Sequence, residues 1–269
     1  MKSNLNKKIH DCLNKIGLKK NSTVLIHSGL NYLGTVPNLK INQLPEFYFN
    51  SLKSYLGKNS TFVFPGFFYD YSRKKKSFDL DLSPPSKSLG SLPSYIFKNK
   101  KFFRSKHPLT SLISFGKKAR QICHQSNFND FGFNSAWSKL VELVAQILFF
   151  GVPLRESNTF IHFIEFNFGV PHMYTKKFNV SVKKNKKIIS RNIYAYLRYL
   201  NFDIDVNQNK LEKDLKKSKI FKSIKFHDGE ISTIKLKDML NFGLEKLSKN
   251  PYYFLNNKPK FKKNKAPLL

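Results

Sequence analysis

Thr23-Val24-Leu25-Ile26-His27-Ser28-Gly29 opens with β-branched and aliphatic residues and ends on two small ones. Five consecutive strand formers with no polar alternation read as a strand buried inside a sheet, and the small residues mark its exit. Upstream, Leu5, Ile9, Cys12, Leu13 and Ile16 fall on one face of a helix, closed by Gly17 and followed by Lys19-Lys20. Downstream, residues 44–56 carry a second helical pattern and Thr61-Phe62-Val63-Phe64-Pro65 a second buried strand.

The same alternation continues. Residues 70–90 are rich in charge and proline and read as loop. Residues 108–115 and 140–151 are apolar, the second a helix running into a strand Ile147-Leu148-Phe149-Phe150. Asn158 can cap a helix over residues 159–166. Residues 178–182 and 192–197 predict strands, residues 211–215 and 236–247 predict helices, and Asn250-Pro251 stops the last. Strand and helix alternate without a long linker or an internal repeat. This predicts one α/β domain over residues 1–252 and a frayed basic tail over residues 253–269.

Composition sets the class. The chain has 269 residues, 41% hydrophobic and 15% aromatic, enough for a substantial core and against a disordered chain. The apolar run over residues 141–152 is interrupted by Glu142 and Gln146 and is too short to span a bilayer. The first fifteen residues lack the apolar stretch of a secretory signal. Cys12 and Cys123 form neither a disulfide framework nor a zinc pattern, which fits a reducing cytoplasm. The net charge of +31 allows a nucleic-acid-binding protein as an alternative class. Yet the lysines are spread through the chain alongside abundant Asn, Phe and Ile, as biased codon usage produces. The dense runs, residues 183–187 and 258–265, read as solvated surface.

Three constellations carry chemistry. Residues 24–34 end a strand in small and polar residues, a turn able to hold a carbonyl or phosphate oxygen, or simply a strand-to-helix connection. Residues 104–111 gather Arg104, Lys106, His107 against Pro108, and the hydroxyls of Ser105, Thr110 and Ser111. In residues 158–165, Thr159, His162 and Glu165 recur three apart and stack along one side of a helix. His162 and Glu165 interrupt the apolar run of Phe160, Ile161, Phe163, Ile164 and Phe166. Two buried ionisable groups are costly unless they pair or function, so a structural pair and a catalytic pair both remain open. A carboxylate beside an imidazole fixes its tautomer and supports the imidazolium. His-x-x-Glu is also half of a metal site, but a third ligand is lacking.

Taken together, these segments resemble the aminoglycoside 3-N-acetyltransferase-like family. Its strand-H-S-S-L-glycine opening is similar to His27-Ser28-Gly29-Leu30 with Gly34, and its F-x-P to Phe62-Val63-Phe64-Pro65. A further stretch is matched by Phe78, Asp79, Ser83, Pro85, Ser86, Gly90, Leu92 and Pro93. R-S-x-H-P-x-x-S is matched by Arg104, Ser105, His107, Pro108 and Ser111, and a later segment by Gly132, Ser135, Lys139 and Leu140. N-T-x-x-H-x-x-E is matched by Asn158, Thr159, His162 and Glu165. A fainter likeness runs through Phe202, Asp203, Ile204 and Asp205 to Asn250-Pro251.

The resemblance implies a three-layer α/β/α domain around a mixed sheet, with acetyl-CoA as acyl donor and no metal. It places the donor's pantetheine arm at His27, Ser28, Gly29, Leu30, Gly34, Thr35, Val36 and Ser111. It makes His162 the catalytic base and Glu165 its orienting carboxylate, with His107 and Thr159 in support. The expected partner is a small-molecule amine, not nucleic acid or membrane, acted on by a monomer or homodimer. Direct transfer is expected, with backbone N–H groups near residues 28–30 on the oxyanion and no cysteine acyl-enzyme.

Departures bear on the acceptor. Gly29 stands where the family has a second Ser, Thr110 where a second His is frequent, Ala136 where Pro is frequent, and Pro37-Asn38 where Gly-Gly is frequent. Asp70, Asp79 and Asp81 are the obvious carboxylates for a cationic acceptor. With 48 Lys and Arg against 17 Asp and Glu, the charge tilts the expectation toward a nucleotide-linked amino sugar of surface polysaccharide synthesis. An aminoglycoside antibiotic is the alternative.

Overall fold

The computed structural model describes residues 2–36, 38–199, 202 and 204–261. In chain order its regular elements are α1 (Lys2–Lys15), β1 (Thr23–Ser28), α2 (Leu44–Leu56), β2 (Thr61–Pro65), α3 (Asp70–Arg73) and β3 (Phe78–Asp79). There follow α4 (Ser91–Asn99), β4 (Phe103–Arg104), β5 (Leu112–Gly116), α5 (Ala119–Cys123), α6 (Ala136–Glu142) and β6 (Gln146–Phe150). After the site helices α7 (Leu154–Ser157) and α8 (Phe160–Phe168) come β7 (Met173–Phe178), β8 (Val182–Lys184), β9 (Lys187–Ser190) and β10 (Ile193–Arg198). The chain closes with α9 (Gln208–Lys217), β11 (Lys222–Phe226), β12 (Gly229–Lys235) and α10 (Leu236–Lys249).

A seven-stranded mixed sheet runs in the order β11-β12-β6-β1-β2-β5-β4. Its three central strands are parallel, with Leu25 facing Val63 on one side and Ile147 on the other. Antiparallel pairs flank them, β12 against β6 and β5 against β2. Alternate residues feed two separate cores. Val24, Ile26, Phe62, Phe64, Leu148 and Phe150 face the helices α1, α2 and α4. Leu25, Val63, Ile147 and Phe149 face α6, α8, α9 and α10 around Trp137 and Phe160. Strands covered on both faces must be apolar throughout, which is why they read as continuous runs. The expected three-layer α/β/α arrangement is therefore present.

Two smaller sheets, β10-β7 and β3-β8-β9, sit over a third cluster around Tyr71, Phe78 and Val182. The basic run at residues 183–187 covers the end of β8, the exposed turn at Asn185-Lys186 and the start of β9. One element stands where the sequence pattern assigned none, and one sequence expectation changes. Residues 222–235 form a hairpin that completes the main sheet, because β12 finds its partner in β6, far away in sequence. The beginning of the expected tail is core: Tyr253, Phe254 and Leu255 are buried and Leu255 bridges Val206. Pro37, Asp203 and the basic residues after 261 lie outside the described residues. Among the described residues no helix is long and apolar enough to cross a membrane.

Candidate active site

The parallel strands β1, β2 and β6 end on the same edge of the sheet, and the site lies there. Gly151 (φ +82°) turns the chain directly behind β6. A Cβ at this position would stand 2.5 Å from the Gly29 carbonyl oxygen, so the close approach of the two turns requires glycine. Gly90 (φ +91°) approaches the Ser28 carbonyl in the same way. Helix α8 follows within ten residues of β6 and stops at Gly169 in the left-handed conformation. The Gly169 N–H bonds the Glu165 and Phe166 carbonyls.

His162 projects from the first turns of α8. Its Nδ1–H donates to Oε2 of Glu165 at 2.6 Å. The opposite oxygen of Glu165, Oε1, accepts from Nε2–H of His172 at 3.1 Å. Glu165 and His172 are fully buried, whereas His162 keeps 28% of its side chain exposed. Burial alone would raise the Glu165 carboxyl, but the hydrogen bonds from His162 and His172 hold it at about 2, so it is a carboxylate at any physiological pH. With the proton of His162 on Nδ1, its Nε2 carries the free lone pair. That is the arrangement of an oriented general base.

Two cavities meet at this imidazole. The first, about 500 Å³, is lined by His27, Ser28, Gly29, Ser88, Gly90, Val152, Asn158 and Gln208, among others. The second, about 380 Å³, is lined by His107, Thr110, Asp130, Phe131, Tyr196 and, at its exposed rim, Arg73 and Arg198. Phe67, Tyr69, Thr159 and His162 belong to both. The first cavity holds buried polar atoms without a hydrogen-bond partner among the described residues: His27 Nε2, Ser28 Oγ, and Oδ1 and Nδ2 of Asn158. Burial drives the His27 imidazole down to about 3, so it is neutral, and it stacks on Phe149. Unpaired donors and acceptors in a cleft suit the amide- and carbonyl-rich arm of acetyl-CoA.

The residues expected at the site fall into three groups. His27, Ser28, Gly29, Thr159 and His162 line the first cavity, and Glu165 lies behind it, bonded to His162. His107 lines the second cavity, but Nε2–H donates to the Tyr194 carbonyl at 3.1 Å and Nδ1 accepts from Thr110 at 2.8 Å. Burial keeps its imidazole below the ordinary value, and both nitrogens are taken, so it fixes the wall. Leu30, Gly34, Thr35, Val36 and Ser111 line neither cavity. Leu30 and Val36 are packed into the core beneath α1 and α2, Gly34 faces His227, and Thr35 is exposed. Ser111 is fully buried, donating to the Gly66 carbonyl at 2.6 Å and accepting from Arg104.

The three aspartates expected to meet the acceptor also lie elsewhere. Asp70 pairs with Lys74 and Lys76 at the surface. Asp79 is buried and accepts the backbone N–H of Lys186 and Asp81, anchoring its own loop to the β8–β9 turn. Asp81 borders neither cavity. The carboxylate in the second cavity is Asp130, which accepts from the backbone N–H of Phe131 and of Tyr196. The Gly29 N–H donates to Phe150 at 3.0 Å and is not free for an oxyanion. Its departure from serine has a local reason: a Cβ there would come within 3.0 Å of the Tyr32 ring and 3.2 Å of Val152. Cys123 is buried, donates to the Leu112 carbonyl, and burial raises its thiol, so it is no nucleophile.

His172 and Asp130 escaped the sequence reading. The seven residues from Glu165 to His172 cross the helix end at Gly169, so no helical period links them.

The family model described as aminoglycoside 3-N-acetyltransferase matches residues 25–248. Among solved structures, aminoglycoside acetyltransferase AAC(3)-IVa (apoenzyme) shares 19% identity at a TM-score of 0.76, covering 94% of this chain and 91% of that one. AAC-IIIb in a binary complex with CoASH shares 17% at 0.75, covering 94% and 98%. AAC-VIa bound to sisomicin shares 15% at 0.76, covering 91% and 97%. Among curated proteins none matches the chain in sequence. The family match spans most of the chain, which therefore belongs to the aminoglycoside 3-N-acetyltransferase family, acyl-CoA-dependent N-acetyltransferases with acetyl-CoA as donor.

Proposed function

We propose that the protein acetylates an amine of an aminoglycoside, drawing the acetyl group from acetyl-CoA in the first cavity and the acceptor from the second. The observation that carries this reading is the placement of His162 on the wall common to both. Its Nε2 takes the proton of the amine as nitrogen attacks the thioester carbonyl carbon. Glu165 stabilises the imidazolium, and the proton passes to the departing thiolate. Transfer is direct, because no cysteine borders either cavity.

The family and the aminoglycoside named for AAC-VIa support this acceptor over the nucleotide-linked sugar to which net charge tilts. Asp130 supports it too, since each carboxylate oxygen keeps a lone pair after accepting one backbone N–H. Arg73 and Arg198, at the rim of the same cavity, favour the second reading, an anionic nucleotide-linked amino sugar. Competition with labelled acetyl-CoA between aminoglycosides and nucleotide-linked amino sugars tests the two. Turnover of aminoglycosides at kcat/KM of about 10⁴ M⁻¹s⁻¹ or more, with none of the sugar nucleotides, is expected. The reverse preference would reject the aminoglycoside.

A further inference from the structure

We infer that Asn158 is a catalytic residue of the acetyl transfer: its side-chain N–H binds the thioester carbonyl oxygen and stabilises the negative charge that develops there. The inference rests on the acetyl-transfer reading above.

Asn158 is 2% exposed, and neither Oδ1 nor Nδ2 has a hydrogen-bond partner among the described residues. The ordinary explanation for an asparagine before a helix is capping, as its sequence position suggests. It does not hold here. The cap residue of α8 is Thr159, with no side-chain cap bond, and Asn158, which closes α7, donates its backbone N–H to the Leu154 carbonyl at the start of that helix. A buried amide left unpaired inside a fold is unfavourable unless something outside the fold satisfies it.

Its neighbours say what that is. Of the eleven buried side-chain atoms without a partner among the described residues, five line this one cavity: His27 Nε2, Ser28 Oγ, Asn158 Oδ1, Asn158 Nδ2 and Gln208 Oε1. His162 stands one helical turn beyond Asn158 on the same cavity. Of the backbone donors expected over residues 28–30, the Gly29 N–H is committed to Phe150. Asn158 therefore offers an amide donor, with no rival internal acceptor, beside the base.

The step balances without further reactants. The amine nitrogen forms a bond to the carbonyl carbon, and the carbonyl π pair moves onto oxygen, where Asn158 donates. The pair returns, the C–S bond breaks, and the sulfur takes the proton held by His162. A thioester oxygen accepts weakly before attack and strongly once charged, so the donor acts on kcat more than on binding.

The test compares wild type with N158A and N158D, the second keeping the shape without the donor. Four quantities are read: kcat with an aminoglycoside acceptor, KM for acetyl-CoA, the carbonyl ¹³C resonance of bound [1-¹³C]acetyl-CoA, and melting temperature. Expected are a kcat loss of roughly 100- to 1,000-fold, a KM within a few-fold, and a bound resonance returning toward that of free acetyl-CoA. N158A should melt no lower than wild type, because it removes an unpaired amide. Variants with kcat within threefold of wild type would overturn the inference and leave acetyl transfer standing. So would a lower melting temperature with the bound resonance unmoved, since Asn158 would then be a structural residue. A wild-type protein that neither binds acetyl-CoA nor acetylates any amine would overturn the acetyl-transfer reading and this inference with it.

Discussion

The Nδ1 of His162 lies 2.6 Å from Oε2 of Glu165, one helical turn away on α8, with the carboxylate sealed from solvent and the imidazole still open to both cavities. One partner is fixed and the other accessible. That asymmetry assigns the proton chemistry to His162 and the supporting role to Glu165.

His162→Ala removes the lone pair that takes the amine proton. The expected loss in kcat is roughly 100-fold or more, the usual scale for a general base. Binding should stay, so the stabilisation of the fold by acetyl-CoA in a thermal-shift titration should match wild type. Normal turnover by the variant would remove His162 from the mechanism.

Glu165 gives the protein an acid-sensitive element whose sign is fixed. Its folded value of about 2 is below the ordinary 4.5. The unfolded chain therefore takes up the proton first, and the stability it contributes is complete above pH 4.5 and lost as pH falls toward 2. Glu165→Gln has no such titration. Its melting temperature should fall less between pH 4.5 and 2 than that of wild type, and its kcat should drop clearly but less than for His162→Ala. Parallel melting curves across that window would contradict the assignment.

His172→Phe keeps a ring in the buried site but leaves Glu165 Oε1 without its donor. Unfolding in urea should show a loss of about 2–3 kcal/mol, the scale for an unpaired buried charged group. The kcat should fall less than for His162→Ala, because Nε2 of His172 meets only Glu165. An unchanged urea midpoint would show that the bond contributes nothing.

Gly29→Ser restores the family's usual residue and should cost about 1–2 kcal/mol, an overpacking penalty, since its Cβ would press on the Tyr32 ring. Tyr32→Ala in the same chain should recover most of it. A double-mutant cycle measures the coupling; additive losses would mean that Tyr32 is not the obstacle.

Ser111→Ala separates a structural hydroxyl from a donor-binding one. Its bond to Gly66 is internal, so stability should fall by about 1 kcal/mol while KM for acetyl-CoA stays constant. A several-fold rise in KM at unchanged stability would return Ser111 to the binding site.

Local order was legible in the sequence because its causes are local. The uninterrupted runs at residues 23–27 and 61–65 are strands buried on both faces. Asn250-Pro251 ends its helix, and the three-residue spacing of His162 and Glu165 is a property of any helix. What only the tertiary structure decided depends on chain segments far apart in sequence. The hairpin of β11 and β12 owes its strand form to pairing with β6, and Tyr253 and Phe254 are core because they join the cluster built by α9 and α10. Asp79 looked available for a cation, yet it binds the backbone of Lys186, 107 residues on. Asn158 looked like a cap, yet its amide is unpaired on the cavity wall. Sequence fixes which groups a residue carries; whether those groups are satisfied within the fold depends on distant backbone, and only an unsatisfied group is left for a ligand.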